Sequence, residues 1–103
     1  MKTFVRQGIF SIENGGLVQQ DEALSDYKSV INMFDGGLQF IKDNFNTLPK
    51  VALSIDAFGH SSLTPYLYHY LGFEGIVLHR MPAELYNGFR DSKTFFFTWE
   101  GDD

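Results

Sequence analysis

Val51-Ala52-Leu53-Ser54-Ile55-Asp56-Ala57-Phe58-Gly59-His60-Ser61 places one aspartate where an apolar run stops and a glycine-containing turn begins. The run follows Pro49 and is rich in β-branched and aliphatic side chains, which predicts a short buried strand over 51–55. Asp56 then emerges at the carboxyl end of that strand. In parallel α/β sheets and barrels this end carries the active site, because the strand fixes the backbone while the loop after it turns side chains towards a cavity.

On the amino-terminal side, Lys2 to Gln7 reads as helical turns stopped by Gly8, and Ile9 to Glu13 as a strand broken by Asn14-Gly15-Gly16. From about Asp21 to Asn46, apolar residues recur at spacings of three and four (Tyr27, Val30, Ile31, Phe34, Leu38, Ile41, Phe45), one face of a long amphipathic helix. Asp21 and Glu22 suit its start, where the helix dipole favours acidic side chains. Gly36-Gly37 in its middle implies either a kink or a close neighbour on the helix backbone.

On the carboxyl-terminal side, Thr64-Pro65 has the N-cap and first-position identities of a short helix that ends at Leu71-Gly72. Gly75 to His79 reads as a strand ending at Arg80, Pro82 to about Arg90 as a helical segment, and Thr94 to Trp99 as a fourth strand. Alternating strands and helices predict an α/β chain with a parallel sheet. Four strands do not close a barrel, and such a sheet alone leaves edges unpaired, so the expectation is part of a larger barrel. No internal repeat, low-complexity segment or interior linker divides the chain.

Composition bounds the function. The 103 residues are 44% apolar and 17% aromatic, which is a globular composition sufficient for one folding unit, and eleven phenylalanines imply extensive burial. Eight basic against thirteen acidic residues, with no Lys/Arg-rich segment, argue against nucleic acid or an anionic membrane as partner. No apolar run reaches the roughly 20 residues of a membrane helix, and the first residues lack a signal-peptide apolar core. The absence of cysteine excludes a disulfide framework and thiolate metal sites, and no Asn-x-Ser/Thr acceptor occurs.

Arg80, at the end of the strand after that of Asp56, is expected to share its mouth. A carboxylate and a guanidinium there, with Phe58 as an apolar wall, suit a polar, ring-shaped ligand such as a sugar; the alternative is a structural ion pair at the rim. His60 fits a turn role or a hydrogen bond to the site, His69 a packed or surface role among Tyr66, Tyr68 and Tyr70, and His79 by alternation faces away from Arg80. None belongs to a paired-ligand motif, and Gly15-Gly16 lacks the pattern of a phosphate loop, which leaves a tight turn. Trp99 suits either core or a sugar platform.

Taken together these residues resemble the N-terminal catalytic domain of the glycoside hydrolase family 38 α-mannosidases. Phe10 to Ala23, with Gly15-Gly16-Leu17-Val18-Gln19-Gln20-Asp21-Glu22-Ala23, is similar to the family's Gly-Gly-Trp-Val-x-x-Asp-Glu-Ala block. Ile55 to Ser61 is similar to its Ile-Asp-Pro-Phe-Gly-His-Ser block, and Gly72-Phe73 with the strand into Arg80 fits the family's next segment. The likeness runs from about Phe4 to Gly101. It implies that residues 1–103 are a fragment of a seven-stranded β/α barrel, with about four strands present. It further implies that Asp56 is both the nucleophile of a retaining α-mannosidase and a Zn²⁺ ligand, and that Phe58 and Arg80 line the site for a mannose-containing glycan. Retention through a covalent glycosyl-enzyme needs a second carboxyl group roughly 5 Å away.

Leu17 and Leu53 stand where the family has or often has tryptophan, and Ala57 replaces its usual proline. The family's upstream His-x-Asp zinc pair, its downstream zinc histidine and its acid/base aspartate have no counterparts here. The expectation is therefore that the isolated chain is inactive, binds zinc weakly and needs the remainder of the catalytic domain. The alternative is a non-catalytic carbohydrate-binding or interaction module built on the same scaffold, which would unfold cooperatively. A metal-dependent deacetylase is a third reading and would need a His-rich motif near its aspartate.

Overall fold

The computed structural model describes residues 1–99; residues 100–103, including the end of the family-like stretch, lie outside the described residues. The elements in order are α1 (Lys2–Arg6), α2 (Tyr27–Phe45), β1 (Val51–Ser54), α3 (Leu63–Tyr70), β2 (Gly75–Leu78) and α4 (Ala83–Ser92). β1 and β2 pair in parallel, Val51 opposite Gly75 and Ser54 opposite Leu78, with α3 as the helix between them. The ladder aligns the carboxyl ends of both strands.

α2 starts later than its apolar period suggests. Asp26 is its N-cap, with Oδ1 accepting from the amides of Lys28 (3.0 Å) and Ser29 (3.1 Å), and Asn46 closes it in a left-handed conformation. Asp21 and Glu22 lie before the helix, in a turn. The helix continues through Gly36-Gly37, and the absence of a side chain at Gly37 lets a neighbouring backbone pack there: a Cβ on Gly37 would lie 2.0 Å from the carbonyl oxygen of Gly15. Of the two expectations for this pair, close approach is the one observed.

α3 begins at Leu63, one residue before the expected N-cap, and Ser62 makes no side-chain capping bond. Its end follows expectation. Gly72 takes φ +87° and the Phe73 amide reaches back to the Tyr68 carbonyl at 3.0 Å, which turns the chain into β2.

Two expected strands are not formed. Residues 9–13 pair with no strand; instead, side chains occupy the free edge of β1. Glu13 Oε2 accepts from the Val51 amide (3.0 Å), Asn14 Oδ1 from the Leu53 amide (3.1 Å), and the Asn14 amide donates to the Val51 carbonyl (2.8 Å). Residues 94–99 form no ladder either. Their aromatic rings pack along α4, Phe95 at 5.5 Å from Tyr86 and Phe97 stacked at 5.4 Å on Phe89. Extended propensity is satisfied there by ring contacts.

The core is small. Val30, Phe34, Ala52, Tyr68 and Phe73 are buried together, and the Phe34, Tyr68 and Phe73 rings meet edge-on at 5.5 to 5.7 Å. Composition suggested wider burial of the phenylalanines, but Phe4, Phe40, Phe58, Phe95 and Phe97 are exposed and Phe96 is 98% exposed. With two strands and four helices described, the apolar residues have too few layers to lie between.

Candidate active site

Asp56 and Arg80 each stand two residues past the last residue of a strand, β1 and β2, and the parallel register brings them side by side. Arg80 Nε donates to Asp56 Oδ1 in an ion pair, and the Arg80 guanidinium carbon lies 4.4 Å from the centre of the Phe58 ring. All three residues singled out in the sequence thus meet in one cluster. Both charged side chains are about half exposed, 59% for Asp56 and 49% for Arg80, so the pair stabilises the fold by at most about 1 kcal/mol.

Arg80 adopts φ +53°, a left-handed conformation that costs a non-glycine residue roughly 1–2 kcal/mol. That kink also breaks the strand alternation on which the expectation for His79 rested. His79 and Arg80 line the same open recess of about 270 Å³, with Leu78, Met81, Tyr86 and Phe95. Asp56 and Phe58 are not among its lining residues, so the cluster borders this recess through Arg80 alone.

The turn after Asp56 is held by residues that read from sequence as a helix start. Asp21 Oδ1 accepts from the Phe58 amide (3.0 Å). The Glu22 side chain, only 2% exposed, accepts from the Ser54 hydroxyl (2.7 Å) and the Ser61 amide (2.9 Å). Burial pushes the Glu22 carboxyl up, but hydrogen bonds from the Ser61 amide and the Ser54 and Thr64 hydroxyls, with the nearby His60, outweigh it, so the group lies below the usual carboxylate range. Gln19, with its amide oxygen facing the strand end, accepts from the amides of Ile55 (3.3 Å) and Asp56 (3.1 Å).

His60 joins this support. Its Nδ1 faces Glu22 Oε1 at 3.4 Å and its Nε2 the Arg80 carbonyl oxygen at 2.9 Å. His79 Nδ1 faces the Ile55 carbonyl at 3.2 Å, and His69 meets the Tyr70 ring edge-on. Among the described residues no three His, Cys, Asp or Glu side chains converge on a point that could hold a metal ion. Asp56 can offer one ligand, whereas catalytic zinc normally uses three from protein, so these residues do not make a zinc site by themselves.

The family model for the glycosyl hydrolases family 38 N-terminal domain matches residues 1–103. The chain belongs to glycosyl hydrolase family 38. Alpha-mannosidase F of Dictyostelium discoideum is 42% identical over 88 residues, 85% of this chain and 9% of that protein. Lysosomal alpha-mannosidase of Mus musculus is 40% identical over 83 residues, 79% of this chain and 8% of that protein. Alpha-mannosidase 2 of Spodoptera frugiperda is 36% identical over 81 residues, 79% of this chain and 7% of that protein. The chain thus spans less than a tenth of the length of each of these relatives. In this family 38 chain the strand-end cluster and the acidic pair that supports its turn lie inside the matched region. Among the described residues no helix is long and apolar enough to cross a membrane.

Proposed function

We propose that the chain is part of the catalytic domain of a zinc-dependent retaining α-mannosidase, folded as one portion of a β/α barrel. The observation that carries this reading is the meeting of Asp56, Arg80 and Phe58 at the ends of two parallel strands in a family 38 chain. The α-mannosidase relatives support the substrate class. Asp56 is the nucleophile: its carboxylate attacks the anomeric carbon as the glycosidic bond breaks, giving a glycosyl-enzyme that water then hydrolyses. Arg80 orients that carboxylate through Oδ1, and Phe58 offers its exposed ring as a sugar wall and as a surface for the guanidinium.

Asp56 would be one ligand of the zinc ion, which when bound would supply a Lewis acid for the sugar hydroxyls; its other ligands would come from the remainder of the domain. The acid/base carboxyl would come from there too; the nearby Asp21 and Glu22 are committed to backbone and hydroxyl donors of the turn. The exposed aromatic surface around α4 and residues 95–99 supports the same reading, as apolar area that further barrel elements would cover.

The test is hydrolysis of an aryl α-mannoside by the full-length protein and by its Asp56→Asn variant. Turnover by the first, with loss of several orders of magnitude in the second, is expected. Equal turnover by both would remove Asp56 from the chemistry, and turnover by the isolated 103 residues would show that no further part is needed.

A further inference from the structure

We propose that Glu22 is the positioning residue of this site, acting through His60 to set Arg80 against Asp56; this rests on the reading of Asp56 and Arg80 as the reacting cluster. Three observations carry it. Glu22 is a buried carboxylate whose two oxygens bridge separate pieces of the site: Oε1 takes the Ser54 hydroxyl at the end of β1 and faces His60 Nδ1, while Oε2 takes the Ser61 amide at the far end of the turn. His60 spans the remaining gap: Glu22 Oε1 and the Arg80 carbonyl can each only accept, so the ring links them with both nitrogens protonated, Nδ1–H towards the carboxylate and Nε2–H towards the carbonyl. Arg80 sits in a left-handed conformation that its residue type does not favour, so something must hold its backbone, and the His60 bond is on that peptide.

The chain of contacts therefore runs from Glu22 to His60 to the Arg80 backbone, and from the Arg80 side chain to Asp56. An arginine in the left-handed region points its side chain differently from one in a continuing strand. Release of its carbonyl lets the backbone relax towards the extended region and carries the guanidinium away from Asp56 and the Phe58 ring. Asp21 secures the Phe58 amide within the same turn, so the acidic pair divides the work: Asp21 places the ring, Glu22 the guanidinium.

The test reads Arg80 directly, without catalysis. The 103-residue chain is treated with phenylglyoxal at low protein concentration, and modification of Arg80 relative to Arg6 in the same molecule is mapped by mass spectrometry. Asp56→Asn defines the reactivity of an Arg80 that has lost its ion pair. Glu22→Gln and His60→Asn are expected to raise Arg80 reactivity to that level, by about threefold, the scale of an exposed ion pair. His60→Gln keeps a donor in place of Nε2 but has none to meet Glu22, so it is expected to give a smaller rise than His60→Asn. If Glu22→Gln does not fold, as judged by circular dichroism, Glu22→Asp, whose shorter side chain withdraws the carboxylate from His60 Nδ1, takes its place and is expected to give the same rise. Wild-type reactivity in a folded Glu22→Gln or in His60→Asn, or no rise in Asp56→Asn, overturns the proposal. Loss of mannosidase activity elsewhere in the protein leaves this readout untouched, so the two readings fail separately.

Discussion

Substituting Gly37 by alanine probes the contact that seats the segment carrying Gln19, Asp21 and Glu22. A Cβ at Gly37 would lie 2.0 Å from the Gly15 carbonyl oxygen, 2.8 Å from the Gly16 carbonyl carbon and 2.9 Å from the Leu17 amide nitrogen, all backbone atoms that cannot rotate away. At Gly36 the nearest atom is Leu17 Cδ1 at 3.2 Å, on a side chain that can move. Both substitutions gain about 1 kcal/mol of helix propensity. Overpacking at Gly37 costs about 1–3 kcal/mol or more, because the 15–17 turn must move as a unit, while at Gly36 little opposes the gain. Gly36→Ala is expected to be neutral or stabilising and Gly37→Ala to lie about 2 kcal/mol or more below it, a separation of about 10 °C in melting temperature for a chain of this size. Thermal unfolding followed by circular dichroism measures both. A Gly37→Ala variant as stable as Gly36→Ala would refute the close approach, and with it the placement of the acidic pair.

The remaining expectations concern ionisation and surface. Burial, with Glu22 nearby, pushes the Tyr68 hydroxyl up to about 12, against a weaker lowering by its hydrogen bond from Gln20. The folded state therefore holds this proton more tightly than the unfolded chain, and stability that is full below pH about 10 falls by about 2–3 kcal/mol as pH rises towards 12. Tyr68→Phe should flatten that alkaline loss in urea titrations. Glu22 has the opposite sign: its carboxyl is lowered, so its contribution is present above the unfolded value of 4.5 and disappears as pH falls through the folded one. Glu22→Gln is expected to weaken the pH dependence of stability below that value, and Glu22→Ala to cost about 1–3 kcal/mol at neutral pH by orphaning the Ser54 and Ser61 donors. Phe58, 67% exposed, can be replaced by alanine within about 0.5 kcal/mol of stability, whereas the proposed role as a sugar wall predicts that the same change lowers aryl α-mannoside turnover by the complete catalytic domain.

The strand-end cluster was legible in sequence because it needs only local rules. An apolar run bounded by a turn places Asp56, and a second such run places Arg80 at the equivalent point of a parallel neighbour. The support beneath it was not legible. Asp21-Glu22 ahead of an amphipathic stretch carries the same signal as a helix start, and only tertiary structure shows the pair turned onto the 56–61 turn. One local clue existed: Asp26 followed by Ser29 is a better cap than Asp21, and moving the helix start there frees the acidic pair for another task. Residues 9–13 and 94–99 have strand composition without strand pairing, since a ladder depends on a partner edge. In the first case Glu13 and Asn14 side chains take that edge, and in the second the rings find α4.

The reading of the site turns on Asp56 forming the covalent bond to the sugar. Incubating the full-length protein with a fluorinated mannosyl donor, whose glycosyl-enzyme hydrolyses slowly, and sequencing the labelled peptide by mass spectrometry tests it directly. One mannosyl-derived adduct is expected, on the peptide that contains Asp56, and none in the Asp56→Asn variant. An adduct on a different carboxylate, with Asp56 unmodified, would contradict it.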